Sequence, residues 1–181
     1  EQEVNHLAFF DSLTQLPNRR LFNDRPVQAV KRAPRTSSSL ALMFVDLDKF
    51  KPVNDTYGHA AGDFMLQTVA KRLSGCLRSS DTAVRVGGDE FLVLLPDIPS
   101  GADALAVAEK IRSALAEPCI SPEGIELCIS ASIGIAIYPE HAGSAHELLR
   151  LGDRAMYEAK SAGGNRVKLT NPEDGAGHSA A

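Results

Sequence analysis

The stretch from Asp81 to Leu95, DTAVRVGGDEFLVLL, limits what this chain can become more than any other. Two runs suited to strands flank Gly87-Gly88-Asp89-Glu90, and a glycine pair between such runs predicts a hairpin, because glycine reaches the positive φ of a tight turn between twisted strands. Two carboxylates therefore stand at a hairpin tip. Alone they would read as a solvated acidic turn. A second pair, Asp46 and Asp48, closes the apolar run Leu40 to Val45, which reads as a central strand buried on both faces. Strand ends that place carboxylates side by side suit Mg2+, a hard ion that takes oxygen ligands and is usually shared with substrate phosphates.

Around these strands the other elements fall in order. Residues 1–10 carry Val4, Leu7 and Phe10 at helical spacing, as the last turns of an incoming helix would. Asn18 is a candidate N-cap for a helix from Arg19 to Lys31 that Pro26 bends or restarts, and residues 33–39 read as a polar loop. Residues 47–63 read as a turn-rich bridge, with Pro52, Asn54, Asp55 and Gly58 breaking any long helix. Helices are predicted from Gly62 to Gly75, from Ala102 to Glu117 and from about Ser144 to Ser161. Two antiparallel strands are expected around Pro122-Glu123-Gly124, the second long and containing Gly134, with a short edge strand at 165–169 and a disordered end at 170–181. Without a helical crossover between every strand, the pattern favours an α+β domain: a mainly antiparallel sheet with helices on its faces.

Composition sets outer limits. The 181 residues make one domain of ordinary size, and the net charge of −4 argues against a nucleic-acid binder, whose footprint is basic. Cys76, Cys119 and Cys128 show no metal-site spacing and read as buried small apolar residues in a reducing, cytoplasmic compartment. No run matches a membrane span, although a longer chain could carry an anchor.

The stretch Gly87-Gly88-Asp89-Glu90-Phe91 resembles the naming motif of the GGDEF domain of diguanylate cyclases. Four further blocks match in order: DSLTQLPNRR at 11–20, DLDKFKPVNDTYGHAAGD at 46–63, RSSD at 78–81 and LGDRAMYEAKSAGGN at 151–165. The resemblance covers residues 11–169 and implies a ferredoxin-like, polymerase-palm-type sheet, with residues 1–10 the end of a signalling helix from an upstream sensor. It implies condensation of two GTP into cyclic di-GMP with release of pyrophosphate, each protomer of a homodimer presenting one GTP. Asp46, Glu90 and the Leu47 carbonyl would hold two Mg2+ ions, or Mn2+ in their place, with Asp89 a further ligand or the base for the 3′-hydroxyl. Two such ions stabilise both the attacking and the leaving oxygen of an in-line displacement. Asn54 and Asp63 match the positions that read guanine. Phe50, Lys51, Gly87, Gly88 and Lys160, with backbone amides of Leu47 to Lys51, match the phosphate contacts. Asp48 reads as structural. Arg78 and Asp81 match the product-inhibition site, where a guanidinium fork suits phosphate and the guanine Hoogsteen edge.

Two positions depart from the family pattern. Gly164 stands where an arginine is common, which removes one triphosphate contact that Arg166 or Lys160 would have to replace; Gln15 stands where glycine is usual and is expected to be tolerated unless that turn needs positive φ. The competing reading is a catalytically idle domain that serves as a cyclic di-GMP receptor through Arg78 and Asp81, or as a GTP-sensing module. Retention of Asp46, Asp89 and Glu90 favours the enzyme.

Overall fold

The computed structural model describes residues 2–171. In chain order the elements are α1 (Gln2–Phe9), α2 (Arg19–Phe22), α3 (Arg25–Thr36), β1 (Ser39–Asp48), α4 (Phe50–Tyr57), α5 (His59–Gly75), β2 (Thr82–Gly87) and β3 (Glu90–Ile98). Then follow α6 (Gly101–Ala116), β4 (Cys119–Ile120), β5 (Glu126–Leu127), β6 (Ser130–Tyr138), α7 (Ala145–Ser161) and β7 (Arg166–Leu169). Five strands form one sheet in the order β2-β3-β1-β6-β7, antiparallel except for the parallel pair β6–β7. The mainly antiparallel α+β expectation holds.

Alternation along β1 divides the core. Ala41, Met43, Val45 and Leu47 face the layer of α5 and α6, where Leu73, Ala108 and Ile111 are buried. Leu40 and Leu42 face the other way, against Leu148 and Leu151 of α7, Ala33 of α3 and Phe22 of α2. Because β1 is covered on both faces, its sequence is continuously apolar until Asp46, which faces the α7 layer with Leu40 and Leu42. At Gly134, opposite Phe44, α7 lies so close that a Cβ would fall inside the backbone of Gly152 and Met156. Close approach of helix and strand is what the glycine permits there.

Several expectations are corrected. Residues 33–36 are helical, not loop: Pro34 lies only two residues before the end of α3, and Ala33 is buried on the sheet, so packing sustains the last turn. The restart expected at Pro26 does occur: it sits in the first turn of α3, and the helix from Arg19 is divided in two. The bridge 47–63 is not turn-rich. It contains the rest of β1, all of α4 and the start of α5, separated only at Gly58, where φ is +91°. Pro52 falls in the first turn of α4, where its missing N–H would have had no intrahelical acceptor. Around Pro122-Glu123-Gly124 only a two-residue ribbon, β4–β5, forms, and the long strand β6 starts afresh at Ser130 in the main sheet. Cys128 is exposed, against expectation, whereas Cys76 and Cys119 are half-buried and pack against the margin of the core. Thr170 is buried and its N–H donates to the Ile135 carbonyl at 2.8 Å, which extends the ordered chain beyond 169; residues 172–181 of the expected tail lie outside the described residues. Gln15 does take positive φ, +63°, with its amide donating to the Ser12 carbonyl at 2.8 Å. That side-chain bond offsets part of the cost of left-handed backbone in a non-glycine residue.

Candidate active site

Register brings the carboxylates together. Asp46 near the end of β1 is paired directly with Glu90, the first residue of β3, and on its other side with Ser132 of β6. Cross-strand partners project from the same face, so Asp46 and Glu90 stand side by side on the α7 side of the sheet. Gly87 pairs with Glu90, which leaves Gly88 and Asp89 as the two turn residues, with φ of +53° at Gly88. The turn is therefore one residue later than the glycine pair suggested. A Cβ at Gly87 or Gly88 would meet nothing within 4 Å, so space is open on this side of the hairpin.

Asp46 is buried and Glu90 is exposed. Lys160 from α7 places Nζ 3.0 Å from Asp46 Oδ1, 3.6 Å from Asp48 Oδ1 and 3.2 Å from the Leu47 carbonyl. Its pKa is raised: burial works against the ammonium, but the hydrogen bond and charge of Asp46 and the charges of Asp48 and Asp89 outweigh it. An ammonium thus sits where the oxygens of Asp46, Asp48 and Leu47 converge, which shows that these hard donors are aimed at a cation. Among the described residues no three acidic, His or Cys side chains form a closed metal cage. That donor set fits Mg2+ or Mn2+, ions that complete their shells with water and phosphate oxygens.

Burial pushes Asp46 up to about 6, reinforced by the charges of Asp89 and Glu90 and opposed by Lys160. A carboxylate whose folded pKa is raised destabilises the fold above that value, and the cost is relieved as pH falls from about 6 towards the ordinary value of 3.8. Metal-free protein should therefore gain stability at this residue on acidification from pH 7 to pH 5. His141, buried with a lowered pKa, acts in the opposite direction over the same interval. The readout is accordingly the difference in melting temperature between the parent and Asp46→Asn: the variant should be the more stable at pH 7.5, and its advantage should shrink by pH 5. A difference that does not change with pH would contradict the raised value.

Asp48 has a different task. It accepts from Ser130 Oγ and Ser132 Oγ, both at 2.7 Å, and from the Asn165 N–H at 2.8 Å. Burial alone would raise its pKa, but these bonds and Lys160 bring it below the ordinary carboxylate value. Its place is structural, as expected.

The guanine-reading candidates lie on α4 and α5. A Cβ on Gly62 would collide with the Asn54 side chain, so the glycine lets that carboxamide lie across the start of α5, next to the exposed Asp63. Lys51 is exposed on the first turn of α4, and Phe50 packs partly against the core. Of the amides from Leu47 to Lys51, that of Leu47 is already used, donating to the Asp89 carbonyl at 3.1 Å.

Two residues that pattern reading missed hold the hairpin turn. Arg85 donates from Nε and Nη2 to the Gly88 carbonyl at 3.1 and 2.8 Å, and from Nη1 to both oxygens of Asp11 at 3.1 Å. Asp11 also accepts from the Thr14 N–H and hydroxyl at 2.9 and 2.7 Å. Burial opposes its ionisation, yet the bonds from Thr14 and Arg85 leave its pKa lowered. The same segment is tied to α1: the Asn18 N–H donates to the Phe9 carbonyl at 2.8 Å and Asn18 Nδ2 to Ala8 at 3.1 Å, while the Arg85 N–H donates to Pro17 at 3.1 Å. Asp11 and Arg85 are 74 residues apart, and no local signal joins them.

Arg78 and Asp81, before β2, are paired with each other. Arg78 Nη2 lies 2.9 Å from Asp81 Oδ1 and donates to the Pro96 carbonyl at 2.9 Å, while the Arg78 N–H donates to Asp81 Oδ2 at 2.8 Å. The Asp81 side chain is 2% exposed and that of Arg78 53%, so the guanidinium offers the accessible charge. Both border a shallow cavity of about 270 Å3 with Arg25 and Ser79. They stand at the far end of β2 from the Gly88 turn, about 20 Å away for a strand of this length.

An antiparallel sheet with paired carboxylates across its two central strands, next to a glycine turn, places the domain among the palm-like α+β folds. A family model described as "Diguanylate cyclase, GGDEF domain" matches residues 8–166, and the chain belongs to that family. It is 48% identical over 170 residues to diguanylate cyclase TpbB of Pseudomonas aeruginosa, covering 92% of this chain and 39% of that protein, so it spans about two fifths of its relative. The solved GGDEF domain of TpbB superposes with a TM-score of 0.85 at 44% identity, covering 87% of this chain and 98% of the other. The GGDEF domain of DgcB from Caulobacter crescentus, solved in complex with cyclic di-GMP, gives a TM-score of 0.83 at 30% identity over 90% of this chain and 95% of that one. No helix among the described residues is long and apolar enough to cross a membrane.

Proposed function

We propose that this domain condenses two molecules of GTP into cyclic di-GMP, releasing two pyrophosphates. The observation that carries the reading is the direct pairing of Asp46 with Glu90 in an open cleft whose neighbouring oxygens converge on a cation. Asp46, Glu90, the Leu47 carbonyl and Asp89 would hold the divalent metal that the family generally uses. When bound, the metal supplies charge stabilisation at the phosphate oxygens of the displacement.

The chain's own residues bind and orient. Asp63 accepts from guanine N1–H and N2–H2, a pair that adenine cannot offer, and Asn54 completes the base contact. Gly87 and Gly88 let the triphosphate lie against the backbone, while the N-terminal amides of α4, Lys51 and Lys160 hold its phosphates. For Lys160 this means leaving part of its contact with Asp46 as metal and nucleotide arrive. Asp89, at the turn, serves either as that further metal ligand or as the base for the proton of the incoming 3′-hydroxyl. One site cannot hold both substrates in attack geometry, so the second GTP is presented by a second copy of the domain, and α1 is the element through which an upstream sensor sets their relative orientation.

The test is turnover. Strip bound nucleotide, fuse a dimerising zipper before Glu1, add GTP with Mg2+, and separate the products. Cyclic di-GMP should form, faster per protomer than from the unfused chain at low concentration. Under the same assay Arg78→Ala should leave the initial rate unchanged and remove the slowing seen as product accumulates, because the exposed guanidinium is the phosphate-facing half of the Arg78–Asp81 pair. Cyclic di-GMP binding without any product would replace the enzyme by the receptor reading.

A further inference from the structure

One row crosses the sheet at the level of Asp46. Register pairs Glu90 with Asp46, Asp46 with Ser132, and Ser132 with Arg166 at the start of β7. Cross-strand partners share a face, so Arg166 emerges on the side that carries the carboxylates and Lys160. It stands two strands from Asp46, about 10 Å between backbones, a gap that its long side chain can largely close.

A side chain at position 164, the site of the missing arginine, would be strained and crowded here. Gly164 is buried with φ of +74°, and a Cβ would stand 2.9 Å from Cγ and from both oxygens of Asp48. Asp48 is pinned by Ser130, Ser132 and Asn165, so it has no room to give. Two other cations nearby are engaged: Lys160 with Asp46, Asp48 and Leu47, and Arg112 with Glu109 and Asn165. Arg166 differs. It is exposed, and its one hydrogen bond among the described residues runs from Nε to the Gly164 carbonyl at 3.1 Å, which leaves both terminal nitrogens for a ligand. That bond folds the guanidinium back over the Gly163–Gly164 loop, with Nη2 3.3 Å from where a Gly163 Cβ would be.

We propose that Arg166 is a nucleotide-binding residue of this domain, holding the distal phosphates of the triphosphate from the edge strand. The proposal rests on the GTP reading above. The guanidinium fork takes two phosphate oxygens at once, whereas the Gly164 carbonyl holds the stem in place.

The discriminating experiment is calorimetric titration of the 181-residue chain with guanosine α,β-methylene triphosphate and, separately, with GMP, each with Mg2+. Arg166→Gln should weaken the triphosphate about tenfold, as loss of one partly exposed charged contact would, and leave GMP unchanged. Arg166→Lys should recover part of the loss. Gly164→Arg should lower the melting temperature and bind the triphosphate no better than the parent. Unchanged triphosphate affinity in Arg166→Gln would overturn the proposal, as would a parallel loss of GMP, which would mark a structural role. A Gly164→Arg variant of normal stability and tighter triphosphate binding would also overturn it. A parent that binds neither nucleotide would remove the guanine-nucleotide reading itself, a result distinct from the failure of Arg166 alone.

Discussion

Glu90→Gln is expected to lower cyclic di-GMP formation by about a thousandfold and to leave the melting temperature unchanged. The two halves of that expectation have separate causes. Glu90 is exposed and begins β3, so a carboxamide of the same shape costs the fold nothing measurable. The site, in contrast, loses one of the two negative side chains that face each other across β1 and β3, and an amide oxygen is a poor substitute ligand for a divalent ion. The residues proposed to read guanine, Asn54 and Asp63, lie elsewhere, on α4 and α5, so GMP affinity should persist. Titration, melting and product assay on one preparation would check all three. Turnover within tenfold of the parent would take Glu90 out of the catalytic set.

Gly134→Ala is expected to destabilise the domain by about 3 kcal/mol, the upper end of what overpacking costs, because the added methyl meets backbone and not a movable side chain. Relief would require α7 to move off the sheet, and α7 carries Lys160, so activity should fall with stability. Gly75→Ala is the matched comparison: a Cβ at the end of α5 meets nothing within 4 Å, and the same chemical change there should be neutral or stabilising by about 0.5–1 kcal/mol. Urea midpoints for the two variants should move in opposite directions. If Gly134→Ala costs under about 1 kcal/mol, the helix has more freedom than its contact with β6 indicates.

Strand β1 was legible because its burial imposes a continuous signal: it is apolar on both faces, and only carboxylates end it. The hairpin was legible from its glycines, though not the residue at which it turns, since φ and pairing decide that and both glycines are sterically permissive. Helix α4 was hidden because Pro52, Asn54 and Asp55 are each, taken alone, helix breakers. A proline in the first turn costs no hydrogen bond, and Asn54 earns its place by lying over Gly62. Asp46 and Glu90 could be picked out from sequence, but their common row with Ser132 and Arg166 depends on four strands finding one register. Contacts such as Lys160 with Leu47, or Arg85 with Asp11, link segments 113 and 74 residues apart. No window of local pattern contains both partners, and without an intervening periodicity only the folded sheet brings them together.

The bonds that fasten the last turn of α1 to Asn18, and Asn18's neighbour Pro17 to Arg85, fix the direction in which that helix leaves the domain. The same arginine grips the Gly88 carbonyl, so the helix and the hairpin turn share one clamp. An α-helix advances about 100° per residue, so each residue added to an unbroken helix ahead of Phe9 turns whatever it carries by that angle relative to the cleft. The domain is keyed to its helix as a cam is keyed to a shaft: for two such domains on a paired stalk, the phase of the helix, and not only its presence, decides whether the clefts face each other.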